Sequence, residues 1–384
     1  MADERVLDIS DPPVARQPRV WLVVGDKVGD NAQIEAIVDG LGWTCERKQL
    51  RFRERYTRRR PFFRPSLSHL DRGRSDALEP PWPDLALTIG RRPAMAALWL
   101  RQQSGDRTKV VIVGRPHRLL QRFDLIITSA LFHLPDHPNV LKLGLPLMRR
   151  SEPRIAAAVD AWKEQLLELK RPLTAVFVGG PEDPFRFDAA TARHLLDRAS
   201  SLPGADGTLV IVTSRRTPPD VVAALSAHLP SNARIYAWTS DQRRNPYAAL
   251  LGLADRFIVS GDSISMIVEV ARLRKPLAIA SLPLRAAPWV RFEQAMGRQF
   301  RSAGSPGWRW LKEFLHRRGI APLARDIPAF HAMLFERGLA VPLGQPFPTR
   351  PPIPSDDLVL AVSRIRKLFD QDRPADKRPS GGAA

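Results

Sequence analysis

"DRFIVSGDSISMIVEVARLRKP", residues 255–276, joins two kinds of pattern. "RFIVS" is a short apolar run of the kind that lies inside a parallel sheet, covered on both faces. "SMIVEVARLR" has helical spacing and stops before Pro276. Between them stands Ser260-Gly261-Asp262-Ser263-Ile264-Ser265, small and polar. Glu269 follows one turn on, four residues after Ser265 and on the same helical face. A buried strand, a short polar corner and a helix make the unit from which an open parallel sheet is wound.

The same unit recurs on both sides. Towards the N-terminus, "RVWLVVGD" reads as a strand and "DNAQIEAIVDGLG" as a helix, with Asp30 or Asn31 as cap and Gly42 as its end. Strands are expected at 84–90, 109–114, 123–129 and 139–144, with a helix between the first two. "EPRIAAAVDAWKEQLLELKRP" reads as one helix joining two blocks. In the second block strands are expected at 173–180, 207–214, 233–238, 255–261 and 276–281, with helices near 188–200, 218–229, 247–253 and 263–273. The expected architecture is α/β, with two Rossmann-like doubly wound domains facing a cleft. Their limits are 19–150, with a basic insert at 46–80, and 173–285, joined by a linker helix at 151–172. A helical region at 286–371, ending in "SDDLVLAVSRIRKLFD", and disordered termini at 1–18 and 372–384 complete the chain.

The composition narrows the class. The 384 residues are 44% hydrophobic, enough for two cores. One cysteine, Cys45, rules out an internal disulfide or a cysteine-rich zinc site. The N-terminus lacks the pattern of a secretory or transit peptide, and no run approaches the length of a spanning helix. A cytoplasmic protein is expected, with peripheral contact on the inner face of the cytoplasmic membrane. A net charge of +19 favours an anionic partner.

Ligands of such folds bind beyond the carboxyl ends of the strands, so the corners carry the functional expectations. "VVGDKVGDNAQ" offers Asp26 and Asp30 as acids for a substrate hydroxyl or for general-base work. "FVGGPEDPFRFD" offers Gly179 and Gly180, whose N–H groups can meet an anion, although the third glycine of a dinucleotide fingerprint is missing. "IVTSRRTPPDVV" places Ser214, Arg215, Arg216 and Thr217 before Pro218, with Thr217 as helix cap and the arginines beside free N–H groups. Asn245-Pro246 starts a turn and a helix. In the opening corner Asp262, Ser263 and Ser265 surround a helix start, where hydroxyls suit phosphate. Glu269 behind them suits a ribose diol, because an ionised acid accepts from two hydroxyls. Each corner also has a plainer reading, as a turn or a helix cap.

"FVGGPEDPFRFD", "TSRRTPP", "NPYAALLGLADRFIVSGDSISMIVEVARLRKP" and "GDKVGDNAQIEAIVDGLG" together resemble the mitochondrial-fission family of the elongated-mitochondria type. The likeness covers about residues 20–300 and is strongest over 173–280. It implies a GT-B glycosyltransferase-like fold whose C-terminal domain holds a nucleotide-sugar as donor substrate, with no further cofactor. Gly179, Gly180, Ser214, Arg215, Ser263 and Ser265 would then face phosphate, Glu269 the ribose and Asn245 the base, with Asp26 and Asp30 on the acceptor side. One corner departs from the pattern: "TSALFHLPDHPNV" arranges His133, Asp136 and His137 differently. The plant members recruit a dynamin-like GTPase to mitochondria, and no such site is visible in this sequence.

"ERKQLRFRERYTRRRPFFRPSL", 46–67, interleaves Phe52, Tyr56, Phe62 and Phe63 with arginines. From Arg51 to Arg64 it reads as a surface for anionic membrane, ahead of nucleic acid, because no nucleic-acid module is visible. The leading expectation is a metal-independent glycosyltransferase acting on a membrane-linked or saccharide acceptor. The only compact Asp-x-Asp, "DQD" at 370–372, lies near the tail. A non-catalytic membrane adaptor and a nucleotide-sugar epimerase are the alternatives.

Overall fold

The computed structural model describes residues 17–26, 28–58, 63–116, 119–132, 134, 136–148, 152–202, 207–241, 244–285, 307, 310, 311, 314, 325–354 and 356–370. Nearly all of both expected disordered termini, and most of 286–324, lie outside these residues.

The first block runs β1 (Val20–Val24), α1 (Val28–Leu41), β2 (Cys45–Gln49), α2 (Arg55–Arg58), β3 (Leu85–Ile89), α3 (Arg91–Gln103), β4 (Lys109–Val113), β5 (Leu125–Ser129) and β6 (Val140–Leu143). All six strands pair parallel in the order β2-β1-β3-β4-β5-β6. Every residue of β1, β3 and β5 is buried, as their unbroken apolar runs require in a sheet covered on both sides. Gly42 closes α1 in the left-handed conformation, its N–H bonded to Val38. Asp30 does not cap α1, which begins two residues earlier. Asn31 lies inside the helix instead, with its amide donating to the Gly25 carbonyl at 2.9 Å.

The basic insert differs from its sequence reading. It opens with β2, an edge strand of charged residues whose pattern carries no apolar signal. Phe63 is buried in the core with Trp21 and Leu70, and Phe52 stacks on His69. Two of the aromatic rings expected to meet a membrane or a base therefore face inward. Phe62 lies outside the described residues.

α4 (Glu152–Leu167) follows, then β7 (Leu173–Val178), α5 (Ala189–Ser200), β8 (Thr208–Thr213), α6 (Pro219–Ala227), β9 (Ala233–Tyr236), α7 (Tyr247–Leu253), β10 (Arg256–Ser260), α8 (Ile264–Arg272), β11 (Leu277–Ala280), α9 (Ile327–Glu336) and β12 (Val341–Pro342). These strands form a second parallel sheet, β12-β11-β10-β7-β8-β9. α4 packs on α7, where Ile155 and Val159 lie against Gly252. α10 (Asp357–Asp370) then returns to the first domain and buries Ala361, Val362 and Ile365 in its core beside Ile34 and Ile37.

The strand orders locate the ligand region. Each sheet winds outward in one direction, returns to the middle and winds the other way. The reversal falls between β1 and β3 in the first sheet and between β7 and β10 in the second. A crevice opens at such a reversal, outside the carboxyl ends of the strands. Gly179-Gly180 follows β7 and Gly261-Asp262-Ser263 follows β10, so both corners flank the second reversal.

Candidate functional site

A cleft of about 950 Å³ opens there between the two domains. Gln33 of α1, Leu131 and Met148 line it from the first domain, and Glu152 and Arg154 from the start of α4. Glu182, Arg216, Asp262, Ser265, Glu269 and Arg325 line it from the second. Its chemistry is therefore concentrated on the second domain.

At the reversal the protein supplies its own anion. Asp262 is buried, with its side chain fully enclosed. Its Oδ2 accepts from the Gly180 N–H at 2.8 Å and from Arg216 at 3.2 Å, and its Oδ1 accepts from the Ser260 hydroxyl at 2.7 Å. The Gly179 N–H donates to the Ser260 oxygen at 2.8 Å. The glycine pair is explained by this packing. A Cβ on Gly179 would lie 2.0 Å from Asp262 Oδ2, and one on Gly180 2.2 Å from the Arg216 carbonyl. The two N–H groups expected to be open to a ligand anion are thus engaged by Ser260 and Asp262. Burial pushes the Asp262 carboxyl above its ordinary range, against the hydrogen bonds and the Arg216 charge that hold it down.

Ser214 and Thr217 fasten the neighbouring corner to β7. The Ser214 hydroxyl donates to the Gly179 carbonyl at 3.0 Å, and the Thr217 hydroxyl donates to the Val178 carbonyl at 3.1 Å while accepting from the Ser214 N–H at 2.9 Å. Thr217 is therefore not the cap of α6, which starts at Pro219 with Pro218 in the cap position. A hydroxyl turned back to the strand is not available at the helix end. The turn directs Arg216 into the cleft, where it also meets Glu182 at 3.0 Å. Arg215 is exposed and is not among the cleft-lining residues.

α8 presents its first turn to the cleft through Ile264 and Ser265, and Glu269 one turn later. Ser263 is buried at the start of the helix and makes no capping bond through its side chain. The Glu269 side chain is only 13% exposed. Its Oε1 accepts from Arg154 of α4 at 2.8 Å, and its Oε2 from the Tyr247 hydroxyl at 2.7 Å. Burial and the Glu269 charge push the Tyr247 phenol well above its usual range, so it stays a neutral donor. The carboxylate is held from two sides, and each oxygen keeps a lone pair for a further donor. A second cavity, about 920 Å³, begins on the other side of Arg154. Trp162, Tyr236, Arg244, Asn245 and Tyr247 line it. The Asn245 side chain accepts from the Tyr247 N–H at 2.9 Å and so fixes the start of α7.

The acceptor-side expectations fare differently. Asp26 is paired with Arg51 at 2.5 Å and does not line the cleft. Asp30 sits in the first turn of α1, and its side chain lies outside the described residues. In the departing corner Asp136 pairs with Lys142 at 2.7 Å and His137 meets Asn139, while His133 lies outside the described residues. Sequence reading missed Glu152, Arg154, Glu182, Tyr247 and Arg325. Glu152 and Arg154 look like ordinary residues of a helix start, and Arg325 stands far along the chain. Only the Glu-Asp of "GGPED" and the Tyr of "NPY" lay inside corners already singled out.

Two doubly wound parallel sheets meeting at a cleft, with the last helix carried back to the first domain, define a GT-B-like α/β protein. The chain belongs to the family described as Mitochondrial fission ELM1, whose model matches residues 28–303. It is 27% identical over 221 residues to the mitochondrial fission protein ELM1 of Arabidopsis thaliana, a match covering 51% of each chain. The match thus spans about half the length of that plant relative. It is 25% identical over 299 residues to an uncharacterised Rickettsia prowazekii protein, covering 68% of this chain and 82% of that one. Among solved structures, a glycosyltransferase from Rickettsia africae is similar at a TM-score of 0.42 and 12% identity, over 83% of this chain and 97% of that one. A Neisseria meningitidis UDP-GlcNAc 2-epimerase bound to UDP-GlcNAc is similar at 0.40 and 12%, over 83% and 98%. The fold assignment itself rests on the two sheets.

Proposed function

We propose that the cleft binds a nucleotide-sugar and that the protein is a metal-independent glycosyltransferase acting on a membrane-linked or saccharide acceptor. The observation that carries this reading is the convergence at one strand reversal of the α8 N-terminus, Arg216 and a doubly held carboxylate, Glu269. The helix end and the arginine meet a diphosphate, and they stabilise the charge that develops on it as a leaving group. Glu269 receives the ribose hydroxyls with its remaining lone pairs. The aromatic cavity beyond Arg154 takes the base. On the acceptor side Glu152 replaces Asp26 as the general-base candidate, because it lines the cleft and has no ion-pair partner among the described residues.

A non-catalytic adaptor on the same fold is the second reading. One observation favours it: among the described residues, the first-domain wall of the cleft carries Ala32, Gln33, Leu131, Pro146, Leu147 and Met148, with no titratable group. Thermal denaturation against a panel of nucleoside diphosphates tests binding. A midpoint raised by at least one of them, and lost in Glu269→Ala, is expected. No shift with any nucleotide would sink both the transferase reading and its donor site. Binding without transfer to any acceptor, unchanged in Glu152→Gln, leaves the adaptor.

A further inference from the structure

Glu182 stands where three chain segments meet in the cleft. It belongs to the β7–α5 connection, Arg216 to the β8–α6 connection, and Arg325 to the segment just before α9. Its Oε2 lies 3.0 Å from an Arg216 terminal nitrogen and its Oε1 3.2 Å from an Arg325 terminal nitrogen. One carboxylate thus divides its two oxygens between two guanidinium groups, a geometry those groups offer equally to phosphate oxygens. All three side chains are 35–41% exposed and line the cleft.

Ion pairs this exposed add little net stability, so the arrangement is poorly explained as a fold-holding device. The glycine corner, for its part, is closed to an incoming anion by Asp262. Among the described residues, the remaining cationic surface of the cleft is Arg216, which also touches Asp262, and Arg325, together with Arg154, which Glu269 already holds.

We propose that Arg216 and Arg325 form the diphosphate clamp of the cleft and that Glu182 is its internal occupant, displaced when a nucleoside diphosphate enters. The inference rests on the nucleotide reading above and adds the group that regulates entry. A ligand that must displace a bound carboxylate has its apparent affinity scaled down to the fraction of time the clamp is open. Glu182 also sets a charge requirement. A ligand bearing a single negative charge gains nothing over the carboxylate it replaces, whereas a diphosphate brings more charge and more acceptor oxygens.

The test is titration with inorganic pyrophosphate by calorimetry, on wild type, Glu182→Gln, Arg325→Gln and the double variant. Glu182→Gln keeps the shape and removes the charge. It is expected to bind pyrophosphate about tenfold tighter than wild type, with the gain lost when Arg325→Gln is added. Circular dichroism and the thermal midpoint check that each variant is folded. Equal affinity in wild type and Glu182→Gln, or no binding to Glu182→Gln, overturns the proposal. So does a gain that survives the loss of Arg325. Nucleoside diphosphates in the same titration judge the parent reading separately. If Glu182→Gln gains pyrophosphate affinity while no variant binds a nucleotide, the clamp stands and the nucleotide reading falls.

Discussion

His331 shows how one side chain can tie the stability of the site to pH. It lies beneath the Gly261 corner, 5% exposed, its ring stacked on Phe185 and hydrogen-bonded to the Gly261 backbone. Its Nε2 is buried with no hydrogen-bond partner among the described residues. Burial lowers its pKa from 6.5 to about 4. Below pH 6.5 the unfolded chain takes up a proton that the folded chain refuses until near pH 4. Stability therefore falls as pH drops through that window, by up to about 3 kcal/mol for this group. His69, buried against Arg92, has its pKa lowered to about 4 in the same way and adds to the slope. Denaturant titrations at pH 7 and pH 5 are expected to show the loss. His331→Phe is expected to shrink it to roughly half, since His69 remains. An unchanged pH 7-to-5 difference in that variant would contradict the assignment. Nothing in the local sequence marks either histidine, because burial is a property of the packed chain.

Among the elements, the β8–α6 corner separates local from tertiary information. Ser-Arg-Arg-Thr-Pro-Pro announces a turn and a helix start, and both are there. The sequence pattern makes Thr217 a cap, because caps are commonly Ser or Thr before a proline. The structure sends its hydroxyl to β7 instead, because the Gly179 and Val178 carbonyls end their strand beside it. Thr217→Val keeps the shape and strands the Ser214 N–H, so it is expected to cost about 1–3 kcal/mol by chemical denaturation. A cost near zero would mean that water replaces the hydroxyl. The central strands were legible for a simple reason: a parallel strand buried on both faces is an unbroken apolar run. β2 was missed because an edge strand of Cys-Glu-Arg-Lys-Gln has no such run. β12 was missed because it is only two residues long and one of them is proline.

At the scale of the whole molecule, charge is the feature that neither domain explains alone. The net charge is +19, yet the cleft arginines Arg154, Arg216 and Arg325 are all paired with acids. These three arginines therefore leave no unpaired charge in the cleft to account for that excess. Arg51 and Arg53 of the insert are themselves engaged, with Asp26 and with the Leu70 carbonyl. No helix among the described residues is long and apolar enough to cross a membrane. If the excess charge serves a lipid-linked acceptor, the protein should co-sediment with vesicles rich in anionic lipid at low salt. It should release as ionic strength rises, because the attraction decays over about 10 Å at 0.1 M salt. Equal binding to neutral vesicles would remove the electrostatic account.

The sequence by itself determined the alternation of strands and helices, the two-block plan and the corners at the strand ends. These depend on periodicity and on turn chemistry, which act over a few neighbouring residues. Only the tertiary structure decided which groups in those corners remain for a ligand. Asp262 turns inward to the glycine N–H groups, Arg154 crosses from α4 to Glu269, and Glu182 bridges arginines separated by more than a hundred residues. Pairings at such separations are set by how the sheets and connections pack, and no local pattern carries them.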